Sequence, residues 1–199
     1  MQTGILVLRF GDRLLPRTLA ALPRREADDV AAVDEAIRDA RRVVVVGHDA
    51  DLAAVLTRLM RTDLLDVEVA HVRGRWAARR ALTGTARRVP LIRDDTGTVL
   101  VGSAMWLPPA GSDRLRGEAV VDDAVLFDGE VGAVRVEPTQ TMPGLRAAVV
   151  GRWPRRWVSG RAAQLGTAGA RVLRDGVAGP RAVKRSTFYR HTTGWLRVG

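Results

Sequence analysis

Residues 43–46 are four consecutive valines, and they feed directly into Gly47-His48-Asp49 and then into Leu52, Val55, Leu56 and Leu59. β-Branched side chains without polar alternation suit a strand buried on both faces, as in the middle of a parallel sheet. The spacing of the apolar residues that follow is that of one helix face. In open α/β sheets, ligands bind beyond the carboxyl ends of the strands, which is where a strand, turn and helix of this kind would put Gly47, His48 and Asp49. A helix N-terminus with free N–H groups suits phosphate, but carboxylates at 49 and 51 repel a bare anion. They need either a bridging Mg²⁺ or a substrate hydroxyl to deprotonate. Helix capping by Asp49 or Asp51 is the simpler use, and both readings stay open.

The segments around this core extend the pattern. Residues 4–8 read as a first buried strand, residues 27–41 as a helix with Val30, Val33, Ile37 and Ala40 on one face, and residues 67–72 as a further strand. A helix over 75–83 would complete a small parallel sheet with right-handed crossovers. Past Pro90 the rhythm changes to short extended segments separated by Gly, Pro and Asp, without a helical period. The expected fold class is therefore α/β, with a small parallel-sheet lobe over residues 1–90 followed by an antiparallel β-sandwich lobe over 91–199.

Composition narrows the function classes. Hydrophobic residues at 46% and charged residues at 27% exclude a disordered chain. The absence of cysteine removes disulfides, thiolate nucleophiles and zinc-thiolate sites. His48, His71 and His191 share no ligand spacing, so no metal site is expected from them. The acidic pairs Asp94-Asp95 and Asp122-Asp123, and Asp128 with Glu130, are possible oxygen ligands that also simply make turns. The charge-free run from Thr96 to Ser112 is broken by Pro108 and Pro109 and is too short to span a bilayer. The N-terminal stretch has no basic region or long apolar run of a secretory signal, and the cytoplasm is the expected compartment.

The net charge is +10, and Lys184 is the only lysine among 32 basic residues. Such an arginine excess fits compositional bias, and it also favours phosphorylated ligands, anionic lipid or nucleic acid. The stretch Arg152, Trp153, Arg155, Arg156 and Trp157 interleaves rings with guanidinium groups. It suits an anionic membrane surface, with peripheral attachment, ahead of nucleic acid. Arginines stacked on tryptophans at a β surface would read the same way. Neither G-x-S-x-G, a Walker A loop nor G-x-G-x-x-G is present, which leaves serine hydrolases and P-loop enzymes unsupported.

From about residue 34 onward the sequence resembles the diacylglycerol kinase and NAD kinase superfamily. Those enzymes carry Gly-Gly-Asp-Gly-Thr after a hydrophobic strand of an α/β domain, and a late Asp-Gly-Glu in a β domain. Here Gly47 and Asp49 match the first motif, while His48, Ala50 and Asp51 replace Gly, Gly and Thr. "HVRGRWAARRA" resembles the lipid-kinase Pro-x-Gly-Thr-x-Asn-Asp-x-Ala-Arg segment and keeps Gly74, Ala78 and Arg79. Asp175 and Gly176 match the late motif, with Val177 in place of Glu.

The resemblance implies a cleft between Gly47–Asp51 and the turn around Asp175. Asp49 would be the base, with a supporting role for Asp175. Gly47, His48, Asp51, Gly74, Arg79 and Gly176 would hold a phosphorylated, nucleotide-like or lipid molecule, and ATP and Mg²⁺ would serve any active form. The departures damage this machinery: His48 and Ala50 add bulk where backbone must approach phosphate, and Val177 can neither act as a base nor hold Mg²⁺. The expectation is a kinase-fold protein, inactive or weakly active, that binds such a ligand without efficient phosphoryl transfer. An active divergent lipid kinase and a non-enzymatic membrane or nucleic-acid module are the alternatives.

Overall fold

The computed structural model describes residues 3–27, 29–151, 154 and 156–199. The chain forms two units, Met1–Val89 with Thr193–Gly199, and Pro90–Thr192. In chain order, the first unit holds β1 (Thr3–Arg9), a 3-10 turn at Arg17–Leu19, β2 (Arg24–Glu26), α1 (Val30–Arg38) and β3 (Ala40–Val46). It continues with α2 (Asp49–Arg61), β4 (Glu68–Val72), α3 (Arg75–Thr83) and β5 (Ala86–Val89). The second unit holds β6 (Ile92–Asp94), β7 (Val99–Leu100), β8 (Ala104–Leu107), β9 (Leu115–Val121), β10 (Ala124–Val131) and β11 (Ala133–Pro138). β12 (Leu145–Val150), β13 (Val158–Gly160), β14 (Ala162–Arg174), β15 (Val177–Ala178) and β16 (Val183–Arg190) follow, and β17 (Trp195–Val198) returns to the first unit.

The first sheet has the order β2-β1-β3-β4-β17-β5, parallel throughout except for the β17–β5 pair. The valine run ends β3 near the middle of this sheet, and Val43 to Val46 are all buried. Alternate residues of a strand face opposite ways, so the run must be apolar on both sides. Val44 and Val46 pack with Ala70, Val72, Ala78 and Ala81, which places α3 over one face. Arg42 locks that helix in place. Its buried guanidinium pairs with Glu68 at 2.6 Å and donates to the carbonyls of Ala81, Leu82 and Gly84 at 2.8 to 3.0 Å. These are carbonyls at the C-terminus of α3 that have no partner within the helix, and a cation there also complements the helix dipole.

Two boundaries differ from the sequence pattern. The expected helix over 27–41 spans only Val30–Arg38, with Asp29 as N-cap accepting the Ala32 N–H at 2.7 Å. Val30 is exposed and Ala40 already belongs to β3, because the chain must turn back into the sheet within two residues. Residues 195–198 form a strand, and its partners are β4 and β5 of the first sheet. A four-residue strand carries no local sign of its partner, so the pattern placed it with the lobe that precedes it.

The strands of the second unit pair antiparallel throughout. β14 is one strand of 13 residues. β14 pairs with β9 and β16 through its first half and with β8 through its second, with an irregularity between Gly166 and Ala170. A strand that changes neighbours at such a break joins two layers of sheet around a common core. Trp106 and Phe188 fill that core with ring centroids 5.9 Å apart, and the indole N–H donates to Ser186 Oγ at 2.9 Å.

Candidate functional site

β1, β3 and β4 run parallel, so their carboxyl ends and the loops that leave them share one edge of the first sheet. A cleft of about 380 Å³ opens there, lined by Arg13 and Leu15 after β1, Val46 at the end of β3, and Val72, Arg73 and Gly74 at the end of β4. Gly74 is the N-cap of α3. Arg79 lies further along that helix with its side chain exposed, and it does not line the cleft.

The N-terminus of α2 is occupied by the chain itself. Asp51 Oδ2 accepts the backbone N–H of His48 at 2.6 Å, the return half of a capping box. This carboxylate lies against Gly47, where an added Cβ would sit 2.6 Å from Asp51 Oδ2 and 2.8 Å from Asp51 Cβ. Only glycine lets Asp51 close down on the turn. Asp49 pairs with the guanidinium of Arg73, and His48 Nε2 accepts from Arg13. Of the residues singled out in sequence, Gly47, His48, Asp49 and Asp51 therefore come together, with Gly74 on the adjacent strand end.

His71 completes the cluster. Its Nε2–H donates to the Gly47 carbonyl at 3.0 Å, and its Nδ1 stands 3.8 Å from Asp49 Oδ1. Burial holds its pKa below the usual imidazole value, and the nearby Arg73 and Arg197 guanidinium groups act in the same direction. The neutral ring with a proton on Nε2 is the form these contacts select.

Asp175 and Gly176 belong to the second unit, as the two-residue turn between β14 and β15, with positive φ of 50° and 85°. That is the conformation of a type I′ hairpin turn, which Asp-Gly favours. The Asp175 carboxylate accepts the backbone N–H groups of Val101, Gly102 and Ser103 at 2.6 to 3.0 Å, so it organises the loop between β7 and β8. Asp122 does the same for Arg161 and Ala162. Asp94, fully buried, accepts from Thr96, Thr98 and Arg174. Asp128-Gly129, read as a turn, instead lies inside β10 opposite Gly117 and Glu118. Glu130 pairs with Arg116 at 2.5 Å. Among the described residues no three acidic or histidine side chains gather as a metal site.

Of the arginine-tryptophan stretch, Arg152, Trp153 and Arg155 lie outside the described residues. Trp157 is covered by the guanidinium of Arg146, 4.2 Å from the ring centroid, and Arg156 is exposed. Among the described residues no helix is long and apolar enough to cross a membrane.

Sequence reasoning missed Arg13, Arg73 and His71. A signal for them existed: in a parallel sheet every loop after a strand reaches the same edge, so residues just past β1 and inside or just past β4 belong with the Gly47 turn.

The fold is that of the diacylglycerol kinase and NAD kinase structures, as the motifs at Gly47-Asp49 and Asp175-Gly176 imply. A diacylglycerol kinase from Bacillus anthracis matches with a TM-score of 0.75 at 11% identity, over 98% of this chain and 96% of that one. An NAD kinase from Archaeoglobus fulgidus, solved in complex with ATP, matches with a TM-score of 0.67 at 11% identity, over 99% and 94%. Yeast NADH kinase complexed with NADH gives 0.59 at 7% identity, over 89% of this chain and 65% of that one. No protein-family model and no curated protein matches the sequence.

Proposed function

We propose that the first unit binds a phosphorylated, nucleotide-like small molecule in the cleft between Arg13 and Arg73 and does not transfer phosphoryl groups efficiently. The observation that carries this reading is the engagement of both carboxylates of the altered motif. Asp49 is held by Arg73, and Asp51 is turned onto the His48 N–H. A base must reach a substrate hydroxyl, and a magnesium ligand must offer a lone pair; with Asp49 Oδ1 on Arg73 and Asp51 Oδ2 on the His48 N–H, both carboxylates are drawn away from these tasks.

ATP with Mg²⁺ does not fit the α2 N-terminus as it stands. The Asp51 carboxylate lies against Gly47, so a phosphate brought to this turn would meet a like charge. The cleft beside it has the opposite character, with two guanidinium groups, the N-cap of α3 and an apolar wall from Leu15, Val46 and Val72. Arginine forks suit phosphate oxygens, and the apolar wall suits the less polar part of such a molecule. The ATP and NADH complexes of the structural neighbours support a nucleotide as the first ligand class to test, and a phospholipid headgroup offers the same phosphate chemistry.

Calorimetric titration with ATP, NAD and phosphatidic acid dispersions, alongside a phosphoryl-transfer assay, tests the reading. Saturable binding that weakens about tenfold in Arg13→Gln, roughly the worth of one charged hydrogen bond, is expected without product formation. Mg²⁺-dependent transfer that disappears in Asp49→Ala would overturn it.

A further inference from the structure

Both arginines of the Arg13–Arg73 cleft are engaged by contacts that involve a histidine. The Arg13 guanidinium donates to His48 Nε2, so that nitrogen carries a lone pair and the His48 ring is neutral. A proton on Nε2 removes the acceptor and sets two cations against each other, which breaks the contact and releases Arg13. His48 is exposed at the turn after β3, where solvent reaches it. Its own backbone N–H is capped by Asp51.

Arg73 is engaged by Asp49 Oδ1, and the same oxygen is the one that His71 Nδ1 faces at 3.8 Å. Ala70 and Val72 pack with Ala78 and Ala81 of α3, so His71 between them points to the other face of the sheet, toward the start of α2. Around the ring stand Val45 of β3, the Gly47 carbonyl on Nε2, Asp49 of α2, Arg73 beyond β4 and Arg197 of β17. Asp49 is the one anion in that set. A proton on Nδ1 faces its carboxylate with a second cation, and the hold on Arg73 weakens as the one negative charge is shared. Arg73 stands just past the end of β4 with its side chain 60% exposed, and it already lines the cleft.

We infer that the cleft is a proton-gated anion site: protonation of His48 and His71 frees Arg13 and Arg73 for phosphate, so the first unit binds its phosphorylated ligand more tightly as pH falls. The inference rests on the reading of the cleft as a phosphate site. Each proton also adds positive charge beside the anion, so release and electrostatics act with the same sign. Imidazole is the side chain whose ordinary pKa places such a change between about pH 5 and 8. Burial lowers the pKa of His71, which puts its share of the effect at the acid end of that range. Linkage is reciprocal, so a bound anion makes the rings hold their protons to higher pH.

Titration of the full chain with sulfate at constant ionic strength, at about pH 8 and about pH 5.5, tests the gate, because sulfate keeps its double charge across the imidazole range. NAD, whose phosphates are both esterified and keep their charge, is the second probe. Wild type should bind each about threefold to tenfold more tightly at the lower pH, the effect of one or two added charges near the anion. His48→Gln stays neutral and still offers Arg13 an oxygen acceptor, so it should lose part of that gain. His48→Gln with His71→Gln should lose nearly all of it. NMR of the wild-type imidazole protons adds a readout that a structural role would not move: saturating sulfate should shift the titration of both rings to higher pH. Should His71→Gln fold poorly, His48→Gln and the wild-type ring titrations carry the test. Saturable binding of equal affinity at the two pH values, or a gain that His48→Gln leaves whole together with ring titrations that sulfate does not move, overturns the gate and leaves the cleft as an anion site. Failure of both probes to bind saturably at either pH overturns the cleft reading, and the gate with it.

Discussion

The Asp49 carboxylate at the start of α2 is ion-paired with the Arg73 guanidinium at the end of β4. The pair joins two strand ends of the same sheet and sets the charge that the neighbouring cleft presents. With Asp49 in place, Arg73 is partly neutralised; without it, the cleft has two unopposed cations.

Asp49→Asn should therefore tighten anion binding in the Arg13–Arg73 cleft. The Arg73 side chain is 60% exposed, so the pair is worth no more than about 1 kcal/mol and the gain in affinity about threefold to fivefold. Titration with ADP at two salt concentrations reads it, and the gain should fade at high salt. Weaker binding in Asp49→Asn would mean that the carboxylate contacts the ligand.

Gly47→Ala should destabilise the first unit by about 2 kcal/mol, the usual range for forcing an extra carbon into a packed position. The new Cβ would meet Asp51 at both Oδ2 and Cβ, so rotating the carboxylate away cannot relieve the contact entirely. Urea unfolding measures the loss, and an unchanged midpoint would show that α2 can shift at its first turn.

Asp175→Ala should lower stability by roughly 2 to 3 kcal/mol while leaving ligand affinity in the first unit unchanged. It removes the acceptor of three backbone N–H groups and places alanine at a φ of 50°. Asp175→Asn should lose less, because asparagine tolerates that backbone region and keeps one acceptor oxygen. Equal losses in the two variants would overturn this account.

His71 should make stability pH-dependent. Its pKa in the folded protein is lowered by burial, so between that value and about 6.5, the ordinary imidazole value, the unfolded chain binds more protons than the native one. Its contribution to stability is fully present above about pH 6.5 and is lost as pH falls through the folded value. Urea midpoints measured from pH 8 to pH 5 should drop for wild type, and His71→Gln should flatten that part of the profile. A profile that His71→Gln leaves unchanged would place the dependence on other groups.

Much of the first unit was legible locally. The valines of β3, the apolar face of α2 and the segment that forms α3 each carry a period that only one kind of element can bury. The motif residues Gly47, Asp49 and Asp51 were legible as a turn at a strand end. Whether Asp49 faces outward as a ligand or inward as a partner was not, because Arg73 lies far along the chain from it and local spacing carries no trace of the pair. Asp175-Gly176 was readable equally as a turn or as a motif, and the turn geometry with three backbone N–H bonds is what the fold displays.

By itself the sequence determined which segments are strands and helices, since burial of alternating or helically spaced apolar side chains is a local demand. It also determined the positive charge and the absence of thiol chemistry. Only the tertiary structure decided which charges meet. Setting β17 between β4 and β5 brought Arg197 to Arg87, and the parallel order of β1, β3 and β4 brought Arg13 and Arg73 to the Gly47 turn. The physical reason is that strand pairing is long-range: backbone hydrogen bonds hold any two strands alike, and which two are joined settles which side chains become neighbours.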